Sequence, residues 1–448
     1  MRVTVAGFAM LWLTCFGPSS ASAQSLTEVL ATTYSTNPAL LAGRAELNAT
    51  NELVPQALSG WRPTITGTAS VGESWRESDI GSDSATPRSI ALNLTQPLYR
   101  GGRTVAATRQ AENLVLAQRA RLVSVEESVL LGAVTAYMDV GRDMAVLELN
   151  VNNEQVLSRQ LEAARDRFEV GEITRTDVAQ SEARLARATS GRFASEGDLT
   201  QSRARFVEVV GEAPGTLETP PIVTTLPASL EEAIETAVAA NPDVIAADYV
   251  ERAARDGVDV VFGELLPSLS LEGRVERNEG LFEVENRNDA SVAAQLTVPF
   301  YPAGGVDSQV REAKKRASQR RLEMAQQRRN AAQIATTAWE ALSTARAQIT
   351  AFQAQVRSSQ IALEGVREEA QVGSRTILDV LDAEQELLDA RVNLVRAKRD
   401  EIVAGFQVLR AAGNLTARDL NLPVEYYDYQ ADYLEVRNKV WGVSVNEE

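Results

Sequence analysis

Four short stretches of the chain alternate between apolar and polar residues, and they fall into two pairs. They cover positions 64–71, 90–95, 268–275 and 291–298. A period of two with one apolar and one polar face predicts β-strands. A polar segment separates the two members of each pair. The pattern therefore predicts two β-hairpins, over 62–100 and 267–301, each with a long hydrated loop.

The stretches outside the hairpins have helical spacing. A first helix is predicted over about 25–58 in one half of the chain and about 229–262 in the other. Each hairpin is followed by a much longer helical stretch, 103–168 and 306–370. At ~1.5 Å per residue, each of these would be roughly 100 Å long. Ordinary globular helices average about three turns, so these two indicate an unusual architecture.

The apolar positions of the long helices predict how they pack. Leu157, Leu161, Ala164 and Phe168 have the spacing of a coiled-coil seam. The last long helix carries two such stripes, which are Val380, Ala383, Leu387, Ala390, Leu394 and Ala397, and Leu381, Leu388, Val392, Val395 and Ile402. A helix with one partner needs one narrow stripe. Two stripes favour a wall in which each helix has a neighbour on both sides, and a broadly buried bundle helix is the alternative.

The two halves are copies of one unit. Asn37-Pro38 recurs as Asn241-Pro242 at an offset of 204, and the turn glycine Gly171 recurs as Gly373 at an offset of 202. Proline and glycine residues that recur in the same order at nearly constant offsets indicate a duplication rather than shared low-complexity composition. The predicted organisation is a signal peptide over 1–23, a first repeat over 24–212, a linker over 213–228, a second repeat over 229–413 and a C-terminal tail over 414–448.

Composition narrows the classes of function. The first 23 residues have the basic start, apolar stretch and small-residue cleavage site of a secretory signal. The only cysteine lies within them, and there is no histidine. His-based catalysis and His metal sites are therefore excluded, and we expect no cofactor. The 61 acidic and 45 basic residues give a net charge of −16, which argues against nucleic-acid binding.

The strands raise the question of a membrane. After the signal, no apolar run is long enough for a transmembrane helix, so an exported chain of this kind would enter a membrane as a β-barrel. Four strands cannot close a barrel alone. A dimer would give eight strands around a filled lumen, whereas a trimer would give twelve strands around an aqueous bore.

Two strand-to-helix joints carry a resemblance to a known family. They read "QPLYRGG", with Pro97, Gly101 and Gly102, and "VPFYPAGG", with Pro299, Gly304 and Gly305. Together with the duplication and the paired turns "RFEVGEITRTDVAQSEARLA" and "EAQVGSRTILDVLDAEQELL", they resemble the TolC family of trimeric outer-membrane channel-tunnels. The resemblance implies a mainly helical, internally duplicated protomer. In the trimer, a twelve-stranded transmembrane β-barrel would continue as a twelve-helix periplasmic α-barrel.

The family resemblance also implies a function and partners. Such channels are passive ducts that an inner-membrane transporter and a periplasmic adaptor recruit, and outer-membrane lipid surrounds the barrel. The first turn looks most like the branch that serves type I protein secretion, and small-molecule efflux is the alternative. A periplasmic helical scaffold would have one hairpin rather than two complete copies. Nothing in the composition supports an enzyme.

The paired turns would form the periplasmic entrance in that family. By motif position, Asp379 and Asp382 would face the bore as rings of carboxylates and favour cations. Arg375 would reach Thr176 and Asp177 of a neighbouring hairpin and hold the entrance shut. One departure is clear: Ala370 stands where the best-known member has a Tyr in the gate network.

The same turns have a purely architectural interpretation. Gly171 and Gly373 suit the left-handed residue that ends a helix. Thr174 with Asp177, and Thr376 with Asp379, have the spacing of a capping box. Both interpretations stay open for Asp177 and Asp379. Asp382 and Arg375 have no such explanation and are the better candidates for a gate.

Overall fold

The computed structural model describes residues 24–79, 81–221, 226–280 and 286–444, and helices dominate it. The predicted signal peptide lies outside the described residues. The helices are α1 Leu26–Thr36, α2 Pro38–Asn51, α3 Leu53–Leu58, α4 Arg103–Glu169, α5 Arg175–Val210, α6 Leu230–Ala240, α7 Pro242–Phe262, α8 Gly305–Gln371, α9 Ile377–Ala411 and α10 Tyr429–Arg437. The mainly helical, duplicated architecture predicted from the sequence is confirmed.

The strands are β1 Thr64–Val71, β2 Ser74–Ser78, β3 Gly81–Ala85, β4 Arg88–Arg100, β5 Ser268–Glu279 and β6 Arg287–Thr297. Both predicted hairpins form, and they join into one antiparallel sheet in the order β1-β4-β5-β6. The register places Ile65 opposite Leu94, which lies opposite Gly273. Directly opposite residues share a face of the sheet, so the apolar alternation of all four strands forms one apolar face.

The loop of the first hairpin differs from the prediction. The polar segment that was predicted as a wet loop contains a second antiparallel pair, β2 with β3, outside the main sheet. Its strands are only five residues long and carry no apolar alternation. A strand with two polar faces gives no periodic signal, which is why the sequence pattern missed it.

The predicted first helix of each repeat is wrong in one respect, because each is broken at its Asn-Pro pair. Proline has no amide hydrogen and begins a helix well, so α2 starts at Pro38 and α7 at Pro242. The preceding asparagine caps the new helix: the Asn37 side chain accepts from the amides of Ala39 and Leu40. The helix is broken a second time in the first repeat, at Glu52.

The same two asparagines join helices end to end. The Asn37 Nδ2 donates to the carbonyl of Val209 at 2.8 Å, in the last turn of α5. The Asn241 Nδ2 donates to the carbonyl of Ala411 at 3.3 Å, the last residue of α9. Each amide therefore caps the start of one helix and the end of another. As a result, α5 and α2 meet end to end, and so do α9 and α7. We call each of these two-helix segments a composite stave; both run beside the long helices.

The two long helices confirm the prediction closely. Each has 67 residues, which corresponds to roughly 100 Å. Helix α9 contacts both α4 and α8, so it has a neighbour on each side, as its two stripes predicted. In the predicted seam of α4, Leu157, Leu161 and Ala164 are buried. Phe168 is 44% exposed, so the seam ends before the last turn of the helix.

The largest core lies at mid-height on α4. It combines α1 and α2 with the middle of α4 and with the chain that follows α9. That chain is fixed by two neighbouring carboxyl groups: the Glu126 Oε1 accepts from the Ala417 amide at 2.7 Å, and the Glu127 Oε1 accepts from the Leu415 amide at 3.3 Å. The tail then packs on the first repeat, where the Tyr427 hydroxyl donates to Asn48 at 2.8 Å. In the described ranges no helix combines the length and hydropathy needed to cross a membrane.

Burial of Glu127 predicts a pH-dependent stability. Burial raises the pKa of its carboxyl to about 8, against the lowering effect of the Leu415 amide. The stability that the protonated Glu127 carboxyl contributes is fully present below the unfolded pKa of 4.5. It is lost as the pH rises through the folded pKa of about 8. Each pH unit in that window costs up to about 1.4 kcal/mol. The Glu127→Gln variant should therefore melt at a higher temperature than the native protein at pH 8.

The measurement is the thermal unfolding midpoint of the detergent-purified protein at pH 5, 6.5 and 8. Glu127→Gln should reduce the dependence, because its neutral side chain still accepts from the Leu415 amide; the part due to Glu126, whose pKa burial also raises, should remain. Glu340→Gln, at an exposed position of α8, is the matched control and should leave the dependence unchanged. A native midpoint that stays constant from pH 5 to 8 would contradict the assigned protonation of Glu127.

Candidate functional site

The two helical hairpins end in matching turns. Gly171 and Gly373 have φ angles of +80° and +79°, the left-handed region that favours glycine. The Gly171 amide donates to the carbonyl of Phe168 at 3.0 Å, and the Glu172 amide donates to that of Arg167 at 2.9 Å. This is the Schellman pattern, and the second hairpin repeats it. The glycines therefore end α4 and α8 and reverse the chain.

The capping boxes expected from the sequence are both formed. Thr174 and Thr376 are the N-caps of α5 and α9, and each accepts from the amide of the aspartate three residues later. The Asp379 Oδ2 accepts from the Thr376 amide at 2.9 Å and from its hydroxyl at 2.8 Å. Asp177 makes the same two contacts with Thr174. One oxygen of each carboxylate is therefore committed to the turn.

These contacts also fix the charge of both aspartates. Hydrogen bonds from Thr174 and Thr376 hold the pKa of Asp177 and of Asp379 below its usual value. Arg375 adds a smaller lowering at Asp379. Both groups are therefore fully ionised at neutral pH. The capping contribution is lost only as the pH falls through the lowered pKa.

Arg375 does not contact Thr176 or Asp177 within its own chain. Its Nε donates to the Glu369 Oε2 at 2.8 Å, so the pair lies within one hairpin tip and spans the turn. Both side chains are about half exposed. Thr176 is exposed in the first turn of α5. The contact of Arg375 with a neighbouring hairpin stays a prediction about a second copy of the chain.

Asp382 connects the two hairpins of one chain. Its carboxylate forms an ion pair with Arg184 of α5, although the two residues are 198 positions apart in the sequence. The aspartate keeps 57% of its side chain exposed. Asp382 is thus bound to an arginine of the same chain and also open to solvent. Arg184 was not identified from the sequence.

A more buried carboxylate was also missed. Glu384 is 9% exposed, forms an ion pair with Arg367 of α8 and accepts from the Gln160 amide of α4 at 3.2 Å. The ion pair of Arg367 with Glu384 could have been found from the sequence duplication. The offset of 202 that relates the turns also relates Arg367 to Arg165 and Glu384 to Glu182, and that pair forms at 2.7 Å.

The strand-to-helix joints hold left-handed residues, but their pairing shifts by one position. Gly102 and Gly304 precede α4 and α8 with φ angles of 77° and 76°. The residue before each is Gly101, at 60°, and Ala303, at 55°. Gly305 is therefore the first helical residue and not the counterpart of Gly102. Pro97 lies at a register shift between β4 and β5, and Pro299 follows the end of β6.

The polar side chains at the two hairpin tips either stabilise the turns or carry charge exposed to solvent. Across the described ranges, no group of three His, Cys, Asp or Glu side chains could hold a metal ion. What the tips hold is a concentration of ionised carboxylates and arginines on two solvent-exposed turns. Such an arrangement can attract or repel charged solutes and can bind a neighbouring charged turn.

The fold is that of an outer-membrane channel. The Campylobacter jejuni CmeC outer membrane channel superposes with a TM-score of 0.80, covering 98% of this chain and 97% of that one at 16% identity. The chain itself belongs to the outer membrane efflux protein family, whose model matches it twice, over residues 29–212 and 233–414. It is therefore an outer-membrane protein of a channel family, and the resemblance to TolC is confirmed.

Two curated relatives support this assignment over nearly the whole chain. The outer membrane efflux protein BepC of Brucella suis is 33% identical, covering 98% of this chain and 96% of that protein. The outer membrane protein TolC of Vibrio cholerae is 28% identical, covering 90% and 93%. The alternative of a periplasmic scaffold is not supported.

The capping box at the second tip gives a testable prediction. Replacing Thr376 by Ala removes the acceptor for the Asp379 amide and should cost about 1 kcal/mol at the first turn of α9. That corresponds to roughly fivefold more local opening. Trypsin should then cleave faster after Arg375. The measurement is the rate of appearance of the two fragments from detergent-purified protein.

Thr376→Ser is the matched control, because it keeps the hydroxyl and should restore the native rate. Equal cleavage rates for the Ala variant and the native protein would show that the box does not hold the turn closed.

Proposed function

We propose that three copies of this chain form the outer-membrane exit duct of a tripartite export system. The observation that carries this proposal is the side-by-side packing of two 67-residue helices with two composite staves, in a chain that also forms a four-stranded sheet. Strands β1 and β6 lie at the open edges of that sheet. A sheet with open edges cannot lie in lipid, so each edge needs a partner strand.

Three copies would provide twelve strands and twelve staves. The strands would close as a β-barrel in the outer membrane, with the apolar face that Ile65, Leu94 and Val292 share turned towards lipid. The long helices would continue the bore roughly 100 Å into the periplasm. A periplasmic adaptor and an inner-membrane transporter would meet the hairpin tips. The duct needs no cofactor, because transport energy comes from the inner membrane.

Two cargo classes have support. The turn "RFEVGEITRTDVAQSEARLA" resembles the branch of the family that serves type I protein secretion. The name of the relative BepC describes an efflux protein, and at 33% identity over nearly the whole chain it favours small molecules. A wide passive bore is compatible with both. The transporter that supplies the duct would decide the cargo.

The tips would form the entrance. We infer that Asp379 and Asp382 of three copies make two carboxylate rings in the bore, where a narrow, low-dielectric passage strengthens their field. Arg184 neutralises part of the charge of Asp382, so the ring of Asp379 would contribute more to selectivity. Arg375 would alternate between Glu369 of its own tip and Thr176 or Asp177 of the neighbouring hairpin.

Deletion of the gene tests the duct and its cargo together. In the native host, loss of the chain should lower the tolerated concentration of bile salts and dyes several-fold if the cargo is small molecules. It should abolish a secreted protein of the culture medium if the cargo is protein. A plasmid copy should restore either phenotype. Unchanged tolerance and secretion, with a soluble monomeric product, would contradict the proposed function.

The entrance charges predict the ion selectivity of the purified channel in planar bilayers. Asp379→Asn keeps an acceptor for the capping box and removes three charges per trimer, so the preference for cations should fall. Asp382→Asn should lower it less, because Arg184 already compensates that charge. Glu425→Gln, on the exposed tail, is the matched control and should have no effect. A reversal potential that is the same for all four proteins would show that these carboxylates do not line the bore.

A further inference from the structure

The chain has one internal joint and two open edges. Inside the chain, the second strand and the long helix of the first repeat meet the first strand and first helix of the second repeat, as β4 with β5 and α4 with α7. Among the residues that the structure describes, the corresponding elements of the second repeat, β6 and α8, have no such partner. The corresponding first elements, β1 with α2 and α3, lie at the opposite edge; α2 and α3 contact α4 and the tail helix α10, and among the described residues they have no second long helix beside them.

The two repeats superpose in register under fixed offsets. In the first hairpin Thr64 lies opposite Thr95. Adding the sequence offsets of 204 and 202 gives Ser268 and Thr297, which lie opposite each other in the second hairpin. The long helices obey the same rule, since α4 and α8 begin and end 202 residues apart. The offsets therefore relate equivalent positions of the hairpins and of the long helices in the two repeats.

The internal joint is held by a charged cluster between α4 and α7. The Arg109 Nε lies 3.2 Å from the Asp256 Oδ1, and the Arg109 Nη2 lies 3.1 Å from the Asp259 Oδ2. The Asn113 Nδ2 donates to the Asp256 Oδ2 at 2.7 Å. Asp256 therefore receives two donors one helical turn apart on α4, which fixes the vertical register of the two helices.

The offsets place a matching set of charges on the two open edges. Position 109 of α4 corresponds to Arg311 of α8, and position 113 corresponds to Lys315. Position 256 of α7 corresponds to Glu52, between α2 and α3. All three side chains are exposed, and among the described residues none of them forms an ion pair. Two cations on one edge thus have the position to meet one carboxylate on the other.

We propose that α8 of one copy packs on α2 and α3 of the next copy in the register of the internal joint, with Glu52 bound between Arg311 and Lys315 of its neighbour. The two edges differ, so the contact is head-to-tail, and it gives the ring of the proposed duct when the rotation closes after three copies. This inference deepens the proposed function and rests on its trimer. It specifies which residues of neighbouring copies are in contact and at which position along the long helices.

The joint between copies is wider than the internal one near the strands. A Cβ on Gly101 would lie 2.2 Å from the carbonyl oxygen of Gly263, so the internal joint requires glycine there. The corresponding positions are Ala303 and Ser59, and both carry a Cβ. Backbones cannot approach as closely with these residues. The ion pairs of Glu52, about two turns away from Ser59, are then the first polar contact that fixes the register.

Cysteine cross-linking tests the register. The only cysteine, Cys15, lies in the predicted signal peptide, and a Cys15→Ser background leaves no thiol. Glu52→Cys combined with Arg311→Cys should give covalent trimers with a short bismaleimide in membranes. Either single variant should stay monomeric on a denaturing gel. Arg109→Cys with Asp256→Cys is the matched internal control, and it should cross-link within one chain without an increase in mass.

A second control tests the height. Arg329 lies on the same face of α8 as Arg311 but 18 residues further along, about 27 Å away. Glu52→Cys with Arg329→Cys should not cross-link. Cross-linking of this pair, or of neither pair in a protein that is still a trimer by native mass spectrometry, would overturn the register and leave the proposed duct intact. A protein that is monomeric in membranes would overturn both.

Discussion

The structure depends on the lateral packing of long helices in a single layer. A long helix with apolar stripes on two sides is stable only when both sides are covered, because the burial of apolar surface supplies most helical stability in proteins. Helix α9 satisfies this within the chain, between α4 and α8. The outermost helices do not. In the proposed trimer, a second copy of the chain would cover the uncovered sides of these outermost helices.

Composite staves solve a related problem of length. A wall beside a helix of roughly 100 Å needs other elements of equal reach, yet α5 and α9 have 36 and 35 residues. The chain supplies the rest by placing α2 and α7 on their ends. Asn37 and Asn241 make this possible, because an amide can accept from the start of one helix and donate to the end of another. An aspartate would lose the donor, and an alanine would lose both contacts.

The sequence predicted the long helices and both hairpins to within a few residues, because proline and glycine mark their ends clearly. It also placed the turns of Gly171 and Gly373 and their capping boxes, which are local contacts. It missed the breaks at Pro38 and Pro242, although both residues had been used to align the repeats. It also missed β2 with β3. It could not predict that Arg184 pairs with Asp382 or that Gln160 donates to Glu384, because these residues are distant in sequence and no local pattern connects them.

At the hairpin tips, some ion pairs occur in both repeats and one occurs only once. Arg165 with Glu182, and Arg367 with Glu384, are equivalent ion pairs in the two repeats. Each joins the two helices of one hairpin, α4 to α5 and α8 to α9. The pair of Arg184 with Asp382 is different, because it fastens the first hairpin to the second.

Its counterpart between copies follows from the offset of 202. Arg184 corresponds to Glu386 and Asp382 to Gln180, so a carboxylate would face an amide where the chain itself has an ion pair. A ring built with this register would have an ion pair between the two hairpins of each copy and only a carboxylate facing an amide between copies. In the proposed duct, the two hairpins of one chain should then move together, and neighbouring chains should separate first along their boundaries.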